Sequence, residues 1–387
     1  MVALPSEFIE LAYAGSLATV LPAVAQSLGV SAHPGAAPLG LDPLFELPPA
    51  RSAVLVLVDG LGAEQLRRRS GHAQFLRSLQ SPAPQLTCGF PATTATSLAS
   101  LGTGLPPGAH GMVGWQVLMP EHDRLLNHLS WDEGPDPEQW QPHRTVFEQL
   151  EAGGVAVTRI GPGYFDGSGM TRAAQRGGSF AAARTLPERV DTAIAALTAA
   201  PRSFVYLYWG EVDKIGHTFG PDSWQWGEEV ERTDAALADL AMRLPPGTSL
   251  TVTADHGMVE APEMLRHDLA WDEDLARGIR HLGGDPRVPQ PHCEPGAAAE
   301  VLETWTELLG EQALVVSRAE AIDHGWFGPV EGAVTPRIGD LVVAMRGHAT
   351  VLDSRAQRPE FLALKGHHGS LTRDEMAIPL LHLPAVP

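Results

Sequence analysis

The chain has 387 residues, of which 44% are hydrophobic and 19% are charged, as in ordinary soluble globular proteins. Its formal net charge of −19 arises from 46 acidic and 27 basic residues, and the only lysines are Lys214 and Lys365. A protein that tracks the phosphates of a nucleic-acid polymer needs a basic stripe, which this sequence lacks, so we expect no such partner. The length exceeds what one compact core usually covers, and we expect one large domain with inserted segments.

The cysteines and the apolar stretches indicate where in the cell the protein is expected. Cys88 and Cys293 are too few and too far apart for a disulfide framework, so both are predicted to be free thiols. The apolar stretch at 11–30 is interrupted by glycine, proline and polar residues, and no basic segment precedes it. We therefore expect no secretory signal and no membrane span, with the cytoplasm as the location.

The first chemically notable residue follows an apolar run. Residues 7–29 are predicted to form one or two short helices, and a loop rich in proline and glycine follows at 34–49. The run at 53–58 is typical of a central parallel strand that is covered on both faces. Asp59 comes directly after it, at the end of the strand where ligands gather in such sheets. The alternative role for Asp59 is to cap a helix that begins near Ala63.

Small residues and hydroxyl groups crowd residues 88–104. A helix that begins among them would bring a hydroxyl, several backbone N–H groups and the positive end of the helix dipole together, which favours a phosphate group. Thr94 is the best candidate for a nucleophile, and Thr93 is the reserve. The alternative is an ordinary helix with a threonine N-cap. Residues 108–115 are predicted to form a tight loop over the site.

Helix and strand patterns then alternate, which favours an α/β layered fold. The expected helices lie at 145–151, 186–198 and 228–244, and the expected strands lie at 155–160, 204–209 and 250–253. Segments at about 119–145 and 260–350 lack this regularity and are predicted to be caps, the second with short strands at 313–316 and 340–344. Several tryptophans could stack a base, but we expect them to pack in a core or cap seam: Trp131, Trp140, Trp224, Trp226 and Trp326.

Asp213 and His217 follow the strand predicted at 204–209. They are four residues apart, so a single helical turn could aim both side chains at one ion. The alternative for such a spacing is a solvated pair on a helix surface.

Two more clusters complete a set of metal ligands. The strand at 250–253 leads into Asp255 and His256, and a histidine pair bracketed by glycines, His367 and His368, precedes a terminal strand. Three aspartates and three histidines suit two borderline metals such as zinc at about 3.5–4 Å from each other. The predicted set is Asp59, Asp213, His217, Asp255, His256 and His368.

The segment Thr253-Ala254-Asp255-His256-Gly257, the Asp213/His217 spacing and the segment at 366–369 resemble the alkaline phosphatase superfamily, most closely its nucleotide pyrophosphatase/phosphodiesterase branch. The resemblance covers about residues 50–118, 203–258 and 361–383. It implies an α/β three-layer sandwich with a mostly parallel central sheet, as one catalytic domain that spans 1–387 and carries the cap segments. It also implies that one metal is bound by Asp59, Thr94, Asp255 and His256, and the other by Asp213, His217 and His368.

The same resemblance bears on the nucleophile and on the substrate. The superfamily nucleophile lies ten residues before the glycine of a Thr-Gly pair, and counting back from Gly104 reaches Thr94, with Thr93 left open. An alignment on the Phe-Pro pair of the phosphodiesterases would instead place Gly89 there, and glycine cannot serve. The phosphodiesterases also carry an asparagine that holds a phosphate oxygen, whereas Trp115 occupies the matching position here.

The resemblance implies a hydrolase that cleaves phosphodiester or nucleotide pyrophosphate bonds through a phosphothreonine intermediate on two divalent metals. Zinc is the expected metal, with manganese or iron as alternatives, and the expected partner is a small phosphate ester, including nucleotides. The same metal pair could serve a phosphomonoesterase, a phosphonate hydrolase or a phosphotransferase. A metal-binding protein without turnover is a further alternative, against which the hydroxyl at the nucleophile position argues. No Cys/Ser-x-Pro-x-Arg segment is present, which disfavours a sulfatase.

Overall fold

The computed structural model describes residues 4–31, 41–83 and 85–386, so part of the loop predicted at 34–49 lies outside the described residues. The strands are β1 (Ser52–Val58), β2 (Leu86–Thr87), β3 (Gln116–Met119), β4 (Arg124–Asn127), β5 (Ala156–Gly161), β6 (Ser179–Ala182), β7 (Ser203–Trp209), β8 (Thr248–Thr253), β9 (Val259–Glu260), β10 (Arg266–Asp268), β11 (Ile279–Asp285), β12 (Val288–Cys293), β13 (Ala313–Ser317), β14 (Leu341–Met345), β15 (Thr350–Leu352), β16 (Gly366–His367), β17 (Ala377–Ile378) and β18 (Leu380–Leu383). The helices are α1 (Val20–Ser27), α2 (Ala63–Arg68), α3 (Gln74–Ser78), α4 (Thr94–Thr103), α5 (Pro107–His110), α6 (Pro137–Trp140), α7 (Val146–Ala152), α8 (Gly169–Ala174), α9 (Leu186–Ala199), α10 (Glu211–Phe219), α11 (Trp224–Met242), α12 (Glu273–Ala276), α13 (Ala298–Leu309), α14 (Arg318–Asp323), α15 (Pro359–Leu362) and α16 (Arg373–Met376).

A six-stranded sheet in the order β18-β8-β1-β7-β5-β6 forms the centre of the fold. Its strands are parallel except for the edge strand β18, which pairs antiparallel with β8. Every residue of β1 is buried, as expected for a strand that is covered on both faces. The predicted α/β class with a mostly parallel central sheet is therefore confirmed.

Two local predictions are corrected at helix starts. The long helix α11 begins at Trp224 rather than at residue 228, because the Ser223 hydroxyl accepts a hydrogen bond from the Trp226 backbone N–H and caps the helix there. Asp59 does not cap α2, since Gly62 occupies the N-cap position of that helix. The carboxylate of Asp59 is therefore left for another role.

The two predicted cap segments meet in a four-stranded antiparallel sheet in the order β12-β11-β3-β4. The β3–β4 hairpin begins at Gln116, slightly before the boundary predicted at 119. A second, smaller cluster of buried apolar side chains lies within 269–351 and is separate from the large core around the central sheet. The division into one domain with two cap segments remains a prediction.

Most of the tryptophans and both cysteines have the environments that the sequence predicted. Trp131, Trp140, Trp226 and Trp326 are buried, whereas Trp224 is 71% exposed at the start of α11, so the expectation of packing is wrong for Trp224. Cys88 and Cys293 are free and buried, as predicted. Within the described ranges, every helix is too short or too polar to cross a membrane.

Candidate metal centre and active site

The predicted site residues converge at one edge of the central sheet. Strands β8, β1 and β7 are neighbours and run parallel, so their carboxyl ends lie side by side. Asp59 follows β1, Asp255 follows β8, and Asp213 lies in the first turn of α10, directly after β7. This convergence follows from the topology, because residues at the carboxyl ends of adjacent parallel strands share one crevice.

A glycine allows two of these segments to approach each other. Gly60 has a φ of +72°, and a Cβ atom built on it would lie 2.8 Å from the Asp213 Cα atom. A side chain at position 60 would therefore push Asp213 away from Asp59. Glycine is required here both for the backbone conformation and for the close contact.

One group of potential ligands consists of Asp59, Asp255 and His256, all buried. The His256 Nε2 atom lies 3.5 Å from Asp59 Oδ1 and 3.5 Å from Asp255 Oδ2. The Thr94 hydroxyl lies 3.2 Å from the same nitrogen. The structure therefore brings together the four residues that the resemblance assigns to the first metal.

The second group consists of Asp213, His217 and His368. The Nε2 atoms of His217 and His368 lie 3.3 Å and 3.9 Å from the two carboxylate oxygens of Asp213. The ring of His368 also stacks on the ring of His256, with centroids 3.6 Å apart and an interplanar angle of 18°. The two groups are therefore direct neighbours.

All three histidines are oriented by the main chain. Their Nδ1 atoms lie 2.7 to 3.0 Å from the carbonyl oxygens of Gly366, Ala92 and Gly257, for His217, His368 and His256 respectively. A carbonyl can only accept, so each Nδ1–H donates and each Nε2 keeps its lone pair for the carboxylate side. Backbone contacts of this kind fix the tautomer and the ring direction of a metal-binding histidine.

The Asp59 and Asp255 carboxylates show the complementary arrangement, in which one oxygen accepts a hydrogen bond and the other does not. Tyr208 donates its hydroxyl hydrogen to Asp59 Oδ2, and the backbone N–H groups of Gly60 and His256 each donate to Asp255 Oδ1 at 3.1 Å. The oxygens left without a hydrogen-bond partner are Asp59 Oδ1, Asp213 Oδ1 and Asp255 Oδ2. Buried polar atoms normally have partners, so this cluster of bare oxygens fits a bound cation.

The electrostatics of the buried groups agree with that fit. Burial and the negative charge of neighbouring carboxylates raise the pKa of Asp59 well above its usual range, and burial also raises the pKa of Asp255. Burial and the neighbouring His256 ring lower the pKa of His368 well below its ordinary value. His368 is therefore neutral at pH 7, which is the form of imidazole that binds metals. Divalent cations would relieve the repulsion among the carboxylates.

The two candidate nucleophiles have different environments. Thr94 is the first residue of α4, is half-buried and faces His256. Thr93 occupies the N-cap position without capping the helix, is only 2% exposed and donates its hydroxyl hydrogen to Asp285 Oδ1 at 3.1 Å. Only the Thr94 hydroxyl is directed at the ligand groups.

A cavity of about 230 Å³ opens beside Thr94 and is lined in part by the cap. Asp285, at the tip of the β11–β12 hairpin, contacts Thr93 and also accepts a hydrogen bond from the Trp115 backbone N–H at 3.3 Å. Burial raises the pKa of Asp285 to about 7. The ring of Trp115 stacks on Phe361, with centroids 5.0 Å apart.

A buried ion pair fixes the tip of this hairpin to α16. The Arg287 guanidinium donates to both carboxylate oxygens of Glu375, at 3.1 Å and 2.8 Å, and both side chains are fully buried. The backbone carbonyl of Glu375 accepts a hydrogen bond from the Gly257 N–H at 2.8 Å. The position of Asp285 is thereby coupled to the loop that carries His256.

Three residues of the site were not predicted: Tyr208, Asp285 and Phe361. Tyr208 lies in the predicted strand at 204–209 next to Asp59, and its strand-end position was a signal that could have been used. Asp285 and Phe361 lie in or next to the irregular cap, where the sequence shows no periodicity that would indicate which residues reach the site.

Comparison with known proteins gives a consistent result. A sequence model of the type I phosphodiesterase / nucleotide pyrophosphatase family matches residues 53–371. Human ectonucleotide pyrophosphatase/phosphodiesterase family member 5 is 25% identical over 90% of the chain and 72% of its own length. An uncharacterized pyrophosphatase/phosphodiesterase of Schizosaccharomyces pombe is 24% identical over 58% of the chain, which spans only 47% of that protein's length.

Solved structures share the fold. Murine ectonucleotide pyrophosphatase/phosphodiesterase 5, as an inactive threonine-to-alanine variant in complex with AMP, has a TM-score of 0.70 at 20% identity, over 85% of this chain and 87% of that one. Phosphonoacetate hydrolase from Sinorhizobium meliloti, in complex with phosphonoacetate, has a TM-score of 0.65 at 19% identity, over 88% and 92% of the two chains. Both have the α/β architecture described above.

Proposed function

Because the chain belongs to the type I phosphodiesterase/nucleotide pyrophosphatase family, whose members are phosphoric ester hydrolases, we propose that it cleaves phosphodiester bonds with Thr94 as nucleophile and two divalent metal ions as cofactors. The family match confirms the predicted resemblance and the predicted class of enzyme. The nucleophile, the ligand roles and the bond that is cleaved are the proposed part.

One observation carries the proposal. Three histidine Nε2 atoms and three partner-free carboxylate oxygens point into one crevice, and the Thr94 hydroxyl lies beside them. A purely structural metal site would not need an accessible hydroxyl at the start of a helix. This arrangement therefore favours nucleophilic catalysis over metal storage.

The donor set indicates which ions the site would hold. Imidazole and carboxylate ligands suit zinc, with manganese or iron as alternatives. One ion would be held by Asp59, Thr94, Asp255 and His256, and the other by Asp213, His217 and His368. When bound, the ions supply Lewis acidity, which lowers the pKa of a bound hydroxyl or water and offsets charge on the leaving oxygen.

The residues of the chain then perform the following steps. The Thr94 hydroxyl gives its proton to solvent and its oxygen attacks phosphorus, so that a Thr94–phosphorus bond forms while the bond to the leaving ester oxygen breaks and that oxygen takes up a proton from water. The start of α4 directs the positive end of its dipole at the phosphoryl oxygens. Water then attacks phosphorus from the opposite side, and the Thr94 oxygen leaves and recovers a proton. The histidines stay neutral and fixed through their Nδ1–H donors.

The organic half of the substrate and the compartment belong to the same proposal. The AMP complex of the murine protein makes nucleoside phosphodiesters the first substrates to test. A phosphonate hydrolase, a phosphomonoesterase or a phosphotransferase on the same ligands is the alternative outcome. We propose the cytoplasm as the location on the grounds given for the sequence.

The test combines metal analysis with substrate profiling. The purified protein should contain about two divalent ions per chain, measured by inductively coupled plasma mass spectrometry, and should cleave bis(4-nitrophenyl) phosphate faster than 4-nitrophenyl phosphate. Asp255→Asn should lower both the metal content and the rate, because the substitution removes one carboxylate oxygen from the buried group.

Asp374→Asn is the matched control, because Asp374 belongs to neither ligand group and its carboxylate forms a partly exposed pair with Arg68. It should leave metal content and rate unchanged. Full metal content in Asp255→Asn would contradict the ligand assignment. A faster rate on the monoester would contradict the proposed diester specificity but leave the metal assignment intact.

A further inference from the structure

The cavity beside Thr94 has two walls of different chemistry. The ligand groups and the threonines form one wall. The apolar residues of the lining, here called the apolar wall, are Trp115, Leu129, Pro286, Phe361 and Leu364. Once a phosphoryl group lies against the ligand wall, its organic substituent has to lie along the apolar wall. Apolar lining of this kind stabilises groups that gain from leaving water.

The centre of the apolar wall is flat. Trp115 and Phe361 stack with an interplanar angle of 22°, and both side chains remain only partly buried, so aromatic surface is left open to the cavity. Backbone contacts hold Trp115 in place, because its N–H donates to Asp285 and its carbonyl accepts from the His128 N–H at 2.9 Å. A flat aromatic substituent can extend such a stack without disturbing it.

Cationic side chains are missing from this cavity. Among the described residues that line it, none is a lysine or an arginine. Lys214 is the residue after Asp213 and pairs with Glu211 at 3.1 Å. The Arg287 guanidinium, at the hairpin tip, is engaged by Glu375 and by backbone carbonyls. An anionic substituent on the organic half would therefore find no charged partner in the wall.

Asp285 adds a negative charge to the lining of the same cavity. Three ligand aspartates against two divalent ions leave a single positive charge, which the one negative charge of a phosphodiester can balance. A second anionic group would instead face the desolvated carboxylate of Asp285. Like charges several ångströms apart in a poorly solvated cavity repel strongly enough to change binding by about tenfold.

We propose that Asp285 and the Trp115–Phe361 pair determine specificity, by selecting phosphodiesters whose second ester group is flat and uncharged and rejecting those that carry further anionic groups. Nucleoside triphosphates belong to the rejected class. This inference rests on the proposed function, since it assumes that Thr94 attacks a phosphodiester in this cavity. Asp285 acts through its charge, whereas the aromatic pair acts through contact.

The experiment compares two diesters of equal shape that share the 4-nitrophenolate leaving group. Their second ester group is either 4-carbamoylphenyl, which is uncharged, or 4-carboxyphenyl, which is anionic. At about pH 8.5, where Asp285 is ionised, kcat/KM should be about tenfold higher for the carbamoyl diester. Asp285→Asn should reduce that ratio to about threefold or less, and Phe361→Ala should raise KM for both diesters.

Two exposed residues supply matched controls. Asp132→Asn removes an exposed carboxylate, and Trp271→Ala removes an aromatic side chain that is 87% exposed. Neither should change the ratio or KM. A second readout that does not depend on turnover is calorimetric binding of both diesters to metal-loaded Thr94→Ala, in which the same preference should appear and should shrink on addition of Asp285→Asn.

The outcomes separate the two proposals. If both diesters are cleaved at equal rates, and Asp285→Asn leaves that equality unchanged, the specificity proposal is overturned while the proposed function stands. If neither diester is cleaved, the proposed function fails, and the binding preference of Thr94→Ala still decides whether Asp285 discriminates against charge. Equal binding of both diesters would then reject the specificity proposal as well.

Discussion

The carboxyl edge of the central sheet and the cap contribute different things to one cavity. The carboxyl edge of the sheet supplies Asp59, Asp255 and His256, each one to three residues after a strand, and the first turns of α10 and α4 supply Asp213 and Thr94. His217 lies in the last turn of α10, and His368 directly follows β16. The cap supplies Asp285, Leu129 and Pro286 to the lining of the same cavity. Under the proposals above, the sheet edge determines the reaction and the cap determines which substrate reaches it. Changes at the two places should therefore have effects of different kind and size.

The largest expected effect lies at the sheet edge. Thr94→Ala should lower kcat on bis(4-nitrophenyl) phosphate by about 10⁴-fold, because it removes the attacking oxygen. Thr93→Ala is the matched control and should cost about tenfold or less, since its hydroxyl is buried against Asp285. Steady-state kinetics with measured metal content will decide. If Thr93→Ala is the more damaging substitution, Thr93 is the nucleophile and our assignment is wrong.

The next effect lies at the junction of the two regions. Arg287→Met should destabilise the protein by about 3–5 kcal/mol, because it leaves the buried Glu375 carboxylate without its partner. Arg277→Met, which breaks an exposed pair with Asp274, is the control and should leave stability within error. Urea denaturation measures both. A similarly small change for Arg287→Met would show that the cap does not depend on this ion pair.

The smallest effect concerns the pH dependence that Asp285 introduces. Its pKa is raised to about 7 in the folded chain, so the folded state binds a proton that the unfolded state has lost between pH 4 and 7. Stability is therefore fully present below the unfolded pKa and falls as pH rises through this window, and the part of the fall between pH 5 and pH 8 is about 2–3 kcal/mol. Asp285→Asn removes that dependence.

Melting curves of the two proteins with the same metal, recorded at intervals from pH 5 to pH 8, provide the measurement. The Tm of the unsubstituted protein should fall relative to that of Asp285→Asn by a few degrees across this range. A constant difference between the two Tm values would mean that folding does not raise the pKa of Asp285. Protonation of the candidate metal ligands changes the Tm of both proteins equally, so it cancels in the difference between the two Tm values.

The sheet and its edge could be predicted from the sequence for a physical reason. A strand buried on both faces must be a continuous apolar run, so β1, β7 and β8 were found within two residues of their ends. The candidate ligands follow these runs within a few residues, and Asp59, Asp213 and Asp255 were predicted from position and residue type together. Neighbouring strands bring such residues together whatever the rest of the chain does.

The cap could not be predicted to the same depth. Its hairpins β3–β4 and β11–β12 are short, contain proline or glycine, and pair with each other across more than 150 residues of sequence. Asp285 reaches Thr93 only because this sheet docks against the centre and Arg287 fixes its tip. No local sequence pattern indicates that the two hairpins dock there, so the contribution of the cap to the site was not predicted.

The way in which the histidines are held has a consequence for mutational robustness. Each ring is oriented by a carbonyl of the main chain, at Gly366, Ala92 and Gly257. A side-chain substitution cannot delete a carbonyl, whereas it can delete a carboxylate that plays the same part. Ring orientation is therefore insulated from single mutations at these three positions as long as the backbone path is kept. The carboxylate of Asp59 is more vulnerable, because replacing Tyr208 with phenylalanine removes its hydroxyl donor in one step.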